Sequence, residues 1–255
     1  MFFDTHAHYD DPRFEEDRDE LITSLRGKGV VGVISCGCDA ASNITTLALA
    51  DKYDFIYAGV GIHPQECGKS KAADFDELKN LAKNKKVVAI GEIGLDYKYE
   101  YAPRDVQKQS FYNQLLIANE LKLPVIIHER DAFSDCLDII KAALPEYGGS
   151  MHSFAGNTET VKLVLNLGMY IGFSGMITFK NNVKTVEMCP LVPDDRMLIE
   201  TDCPYLSPVP MRGKRNDSSL LCYTAERIAQ IRKVSIDEVE KITTGNAHKL
   251  FNITP

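Results

Sequence analysis

The chain predicts an α/β fold of the (β/α)8 TIM barrel type, and three observations carry that expectation. Eight short apolar runs recur along 255 residues, several are apolar throughout, and stretches of helical spacing lie between them. Strands buried on both faces and separated by helices pair in parallel, and eight such repeats in about 250 residues match the usual size of a closed barrel. A doubly wound open sheet is the main alternative. No linker rich in Pro, Gly or Ser cuts the chain, so a single domain over residues 1–255 is expected.

In order, the runs are Met1–His6, Val30–Cys36, Phe55–Gly61, Val87–Glu92, Pro124–His128, Gly149–His152, Met169–Ser174 and Met197–Asp202. Between the fifth run and the one before it, Arg104–Lys122 reads as helix. Phe111, Leu115 and Ala118 fall at i, i+4 and i+7, a face to pack on a sheet, with Gln107, Lys108 and Asn119 on other faces. Leu123-Pro124 stops that helix and opens the next strand. Leu167-Gly168 offers a helix C-cap before Met169. Near the C-terminus Ser235 and Glu238 form a capping-box pattern, with Val234 and Val239 placed to staple the helix start.

Composition narrows the function. At 44% hydrophobic and 25% charged the chain is neither disordered nor collagen-like. A formal charge of −7 excludes a protein coated in positive field, so an anionic substrate has to be caught locally. The seven cysteines are odd in number and include no CxxC pair, which argues against a disulfide framework and for a reducing, cytoplasmic setting. Neither a secretion signal nor an apolar stretch of roughly 18 residues is evident, so no membrane association is expected, and no obligate protein partner is evident.

The informative polar residues sit at the ends of the apolar runs, where barrel enzymes place their chemistry. Asp4, His6 and His8 share strand parity, so their side chains point to one side and the His-x-His pair can chelate one ion. Glu92, His128, His152 and Asp202 close four further runs. A lone His in such a place is usually structural. Four imidazoles and two carboxylates in equivalent places are better explained by metal, because buried unpaired charge is costly, and such a set can hold two cations. His63, just past the third run, either reaches substrate or shapes a turn. His248 is a packing or surface residue. Glu200 shares parity with Asp202 and either supports the site from behind or pairs with a lysine in the barrel.

Taken together, Asp4-Thr5-His6-Ala7-His8, Gly61-Ile62-His63-Pro64, Gly91-Glu92-Ile93-Gly94-Leu95-Asp96-Tyr97, His128, Met151-His152-Ser153-Phe154, Glu200-Thr201-Asp202-Cys203-Pro204-Tyr205-Leu206 and Arg212-Gly213-Lys214-Arg215-Asn216 resemble the TatD family of metal-dependent deoxyribonucleases, within the amidohydrolase-like barrels. The resemblance implies two divalent cations, with His6, His8 and Asp202 serving the first, His128 and His152 the second, and Glu92 between them. Ala7 and Ser153 stand where family members often carry Cys, and neither change removes a ligand. The basic loop continues Asn216-Asp217-Ser218 instead of the commoner Asn-Glu-Pro, which alters its reach.

The expected activity is hydrolysis of DNA phosphodiester bonds by metal-activated water, and the resemblance favours 3′-5′ exonuclease action. Glu92 and Asp202 are the expected catalytic carboxylates, with Asp202 both ligating and accepting a proton. Asp4, Asp96 and Glu200 are expected behind the ligands, Asp4 orienting an imidazole through its other nitrogen. His63, Arg212, Lys214, Arg215 and Asn216 are expected on the substrate, and Tyr97, Tyr99, Tyr101 and Tyr205 either stack on bases or pack as a lid. Mg²⁺, Mn²⁺ and Zn²⁺ all remain open as the metal. Two rivals stand beside this reading: a small-molecule amidohydrolase using the same metals, and a metal-dependent nucleic-acid-binding scaffold without catalysis.

Overall fold

The computed structural model describes residues 1–254. Its strands are β1 (Phe2–Ala7), β2 (Val30–Cys36), β3 (Ile56–Val60), β4 (Val87–Asp96), β5 (Val125–Arg130), β6 (Gly149–Met151), β7 (Tyr170–Phe173) and β8 (Met197–Ile199), in that order in one eight-stranded sheet. The helices between and after them are α1 (Arg18–Leu25), α2 (Ala40–Lys52), α3 (Ala72–Leu81), α4 (Arg104–Leu121), α5 (Phe133–Ala142), α6 (Thr160–Asn166), α7 (Val183–Met188), α8 (Leu221–Arg232) and α9 (Ile236–Leu250). The fold is a (β/α)8 barrel. Each of the eight apolar runs overlaps its strand, but β1, β4 and β5 extend past theirs, so Glu92 and His128 lie inside their strands and do not close them. The last is shorter than expected: β8 stops at Ile199, so Glu200 and Asp202 lie beyond the strand and share no strand parity.

Contacts divide the chain into two compact units, Met1–Ile34 with the chain from Ser153 onward, and Ser35–His152. In the second unit β3, β4, β5 and β6 pair in parallel, with Gly94 opposite His128 and Ile127 opposite Met151. Ile90 pairs with Val125 and Ile93 with Ile127, so three steps along β4 match two along β5. The extra residue is a bulge at Gly91-Glu92, the device by which a strand re-aims a side chain. Gly94 is required here: at φ +140° it lets β4 approach β5 so closely that a Cβ would lie 1.9 Å from the His128 carbonyl oxygen.

Helix α4 buries Phe111, Leu115 and Ala118 as its spacing predicts, but it also buries Gln107 and Gln114. Gln107 accepts from the Asp96 N–H at 2.9 Å and donates to the carbonyls of Asp96 and Ala102. Gln114 pairs in the same way with both backbone groups of Ile62, and Asn43 of α2 with both of Gly61. Each carboxamide substitutes for a peptide partner, satisfying loop backbone that burial would otherwise leave unpaired. The Gln107 placement corrects the expectation of a face away from the sheet. These amides hold the segment just before His63 and the segment after Glu92.

In the first unit β7 pairs with β8, Ile171 opposite Met197 and Phe173 opposite Ile199. Beyond β8 the chain stays bound to β1: Asp202 N–H donates to the His6 carbonyl at 2.9 Å, and His8 N–H to that of Cys203 at 2.7 Å. Gly168, at φ +77°, ends α6 as expected, and Ser235 caps α9 by accepting from Glu238 N–H. His248 lies edge-on to Phe3, a packing role.

Candidate metal centre

In the first unit, β1 delivers His6, the residue just past its end is His8, and the segment after β8 delivers Asp202. The Nε2 atoms of His6 and His8 lie 3.0 Å apart, and Asp202 Oδ1 lies 3.6 Å from the first and 3.4 Å from the second. Asp202 takes φ +57°, a left-handed conformation that Asp tolerates better than most residues and that turns its carboxylate toward the histidines.

Behind this trio Asp4 is fully buried. It accepts from Thr201 N–H at 2.9 Å, Thr201 Oγ1–H at 2.6 Å, Ser218 Oγ–H at 2.6 Å and His6 N–H at 3.3 Å. Tyr9 donates to Ser218 Oγ, extending the network. Asp4 therefore anchors the residue preceding Asp202 and does not orient an imidazole ring, contrary to expectation. Burial pushes its carboxyl up to about 7, against the four hydrogen bonds that favour the charged form. Glu200 accepts from the N–H of Ser153, the residue after His152. Gly172 makes room for it, since a Cβ there would come within 2.4 Å of Glu200 Oε2.

In the second unit Glu92 Oε1 has three imidazole nitrogens around it: His128 Nδ1 at 2.8 Å, His63 Nε2 at 3.7 Å and His152 Nε2 at 3.7 Å. His128 Nε2 in turn lies 3.3 Å from Asp96 Oδ2. The two carboxylates outweigh burial and raise the His128 imidazole to about 9, and Asp96, though burial opposes it, is held well below the usual carboxylate range by His128 and Gln65. His63 accepts at Nδ1 from the Gln65 N–H at 3.1 Å, so the neutral ring carries its proton on Nε2, facing Glu92. Sequence reading offered His63 a choice between substrate and turn. The structure joins it to Glu92 and His128 as one group whose donor atoms lie within 4.8 Å of one another. Gln65, which also donates to Asp96 Oδ2 at 2.8 Å, carried no sequence signal.

The basic loop divides. Asn216 is wholly buried and donates to the carbonyls of Thr201 and Tyr205, so it braces the Asp202 segment and is not open to substrate, which corrects that expectation. Arg215 is engaged with Asp17 and with the Arg13 carbonyl, and Arg212 stacks over Phe179 with a hydrogen bond to Ser207 O. Lys214 is exposed.

Imidazole nitrogen and carboxylate oxygen, grouped with the nitrogens within 3.7 Å of Asp202 Oδ1 in one unit and of Glu92 Oε1 in the other, are the donor chemistry of Zn²⁺, Mn²⁺ and, for the carboxylates, Mg²⁺. Such donors, in or just beyond the strands of a (β/α)8 barrel, define a metal-dependent hydrolase. A family model described as TatD related DNase matches residues 3–252, and the chain belongs to that family. It is 42% identical over 254 residues to YabD of Bacillus subtilis (strain 168), described as an uncharacterized metal-dependent hydrolase, covering 99% of this chain and 100% of that one. It is 34% identical to a 3′-5′ ssDNA/RNA exonuclease TatD of Rahnella sp. (strain Y9602), covering 95% of each. Among solved structures, the TatD homolog YJJV of Escherichia coli K12 superposes with a TM-score of 0.94 at 29% identity, over 99% of this chain and 98% of that one. Among the described residues no helix is long and apolar enough to cross a membrane.

Proposed function

We propose that the protein hydrolyses DNA phosphodiester bonds as a 3′-5′ exonuclease, with two divalent cations. His6, His8 and Asp202 would hold one, His128 and His152 the other, with Glu92 shared. The observation that carries this reading is Glu92 Oε1 surrounded by three imidazole nitrogens in one unit; the other unit supplies the His6, His8 and Asp202 trio. The 3′-5′ exonuclease named among the relatives supports the substrate class. Divalent cations at such donors acidify water and neutralise phosphoryl charge.

The chain's own groups supply the rest. Asp202 accepts the proton of the attacking water on the carboxylate oxygen left over from ligation. His63, its proton held on Nε2 by the Gln65 amide, donates a hydrogen bond to a phosphoryl oxygen. Lys214 and Arg212 draw the anionic backbone toward an otherwise acidic protein. The seven free thiols support a reducing compartment such as the cytoplasm.

The test is product sizing on end-labelled oligonucleotides with added Mg²⁺, Mn²⁺ or Zn²⁺. Stepwise shortening from the 3′ end is expected, and Glu92→Ala should abolish it while leaving the circular dichroism near wild type. Fully metallated protein inert on single-stranded and duplex DNA would overturn the reading, and turnover on a panel of amides would replace it.

A further inference from the structure

Four tyrosines lie near the ends of β4 and β8, and their environments differ. Tyr97 donates its hydroxyl to Asp135 at 2.6 Å under the Arg104 guanidinium, and Tyr205 is covered by Arg13 with its hydroxyl on Asp11. Both hydroxyls are held by carboxylates, although Tyr205 is itself 47% exposed. Tyr99 and Tyr101 instead stack on each other, ring centroids 5.8 Å apart and planes within 11°, while remaining 48% and 70% exposed.

The loop that presents them is held on every side. Asp96 Oδ1 accepts from the N–H groups of Lys98 and Tyr99, at 2.9 and 3.1 Å. Glu100, between the two rings, takes φ +45°, a conformation unfavourable for Glu, with its carboxylate clamped by Arg104. The next residue after Tyr101, Ala102, is fully buried and its carbonyl is taken by Gln107. Two aromatic rings are thus kept exposed on a loop with little freedom to fold them away, the Tyr101 ring the more open and the Tyr99 ring in contact with both Tyr101 and Arg130. Cations accompany them: Arg130, two residues beyond His128, lies 4.9 Å over the Tyr99 ring, and Lys98 is exposed on the same turn.

We propose that Tyr99 and Tyr101 form a stacking platform for unpaired bases of single-stranded nucleic acid, with Arg130 beside it. The proposal deepens the nuclease reading and rests on it. Any base has a π face, so such a platform tolerates sequence, but a duplex keeps its base faces internal and cannot offer them. Proximity to the donor cluster is built in. The carboxylate that holds the Tyr99 amide also touches His128, and Tyr99 is three residues from Asp96, at most about 11 Å along the chain. A strand with a phosphate at Glu92 and His128 has its neighbouring bases beside these rings.

The test compares three substrates of the metallated enzyme: a single-stranded oligonucleotide, the same oligonucleotide with abasic sites near its 3′ end, and bis(p-nitrophenyl) phosphate. The double variant Tyr99→Ala, Tyr101→Ala should raise KM for the intact strand roughly tenfold, leaving the abasic strand and the small diester unchanged. The Tyr99→Phe, Tyr101→Phe pair keeps the faces and should behave as wild type. An unchanged KM for the intact strand, or an equal rise for the abasic one, would overturn the platform. A separate readout stands apart from catalysis: in EDTA, wild-type protein should quench a 2-aminopurine-labelled strand and the alanine pair should not. Absence of quenching in wild type overturns the platform even if hydrolysis is intact. Quenching with no hydrolysis of any diester would overturn the nuclease reading alone.

Discussion

His128 Nδ1 lies 2.8 Å from Glu92 Oε1, a hydrogen bond between two side chains that the family resemblance assigns to the same cation. With Asp96 on the other ring nitrogen, the imidazole of the metal-free protein is held in its protonated form, up to about 9 against an ordinary 6.5. A raised folded pKa stabilises the protein fully below pH 6.5, and that contribution is lost as pH rises through about 9. Melting of EDTA-treated protein should therefore decline across this window, and His128→Gln should flatten the decline. Cations take only the neutral ring, so titration calorimetry at pH 7 in buffers of different ionisation enthalpy should register about one proton released.

Asp4 shows what an anchored ligand segment is worth. Asp4→Ala leaves the Thr201 and Ser218 hydroxyls and the Thr201 amide without their shared acceptor, at a cost of about 1–3 kcal/mol for each buried group left unsatisfied. Asp4→Asn keeps the shape and should be milder. Both variants should bind cations about tenfold more weakly, because Thr201 positions Asp202. Urea denaturation and metal titration measure the two effects separately.

Two glycines in the left-handed half of backbone space should respond differently to alanine. At Gly94 the new methyl collides with the His128 backbone, and a loss above about 3 kcal/mol is expected, together with weakened cation binding. At Gly168, with φ +77° and open space around it, only the conformational term remains, about 1 kcal/mol. Chemical denaturation of both variants decides it.

Within the basic loop, Asn216→Ala should lower the melting temperature, since the Thr201 and Tyr205 carbonyls lose their donor. Lys214→Ala should leave melting unchanged, weaken oligonucleotide binding and reduce its salt dependence by about one counterion. Melting curves and binding isotherms at several salt concentrations separate a brace from a phosphate contact.

The strands and the types of side chain at their ends were readable because each depends on local pattern. Val30–Cys36 and Val87–Glu92 announce buried strands by their own composition, and histidines and carboxylates recur where the apolar runs end. Local pattern could not reveal that β8 stops at Ile199, that Asp202 is turned toward His6 and His8 in a left-handed conformation, or that Asp4 serves Thr201 instead of an imidazole. Nor could it separate Gln107 and Asn216, both fully buried, from ordinary surface amides. Periodicity reports which way a residue faces within its own element. Which backbone group a buried amide or carboxylate satisfies depends on the register between elements as much as two hundred residues apart, and that register exists only once the chain has packed.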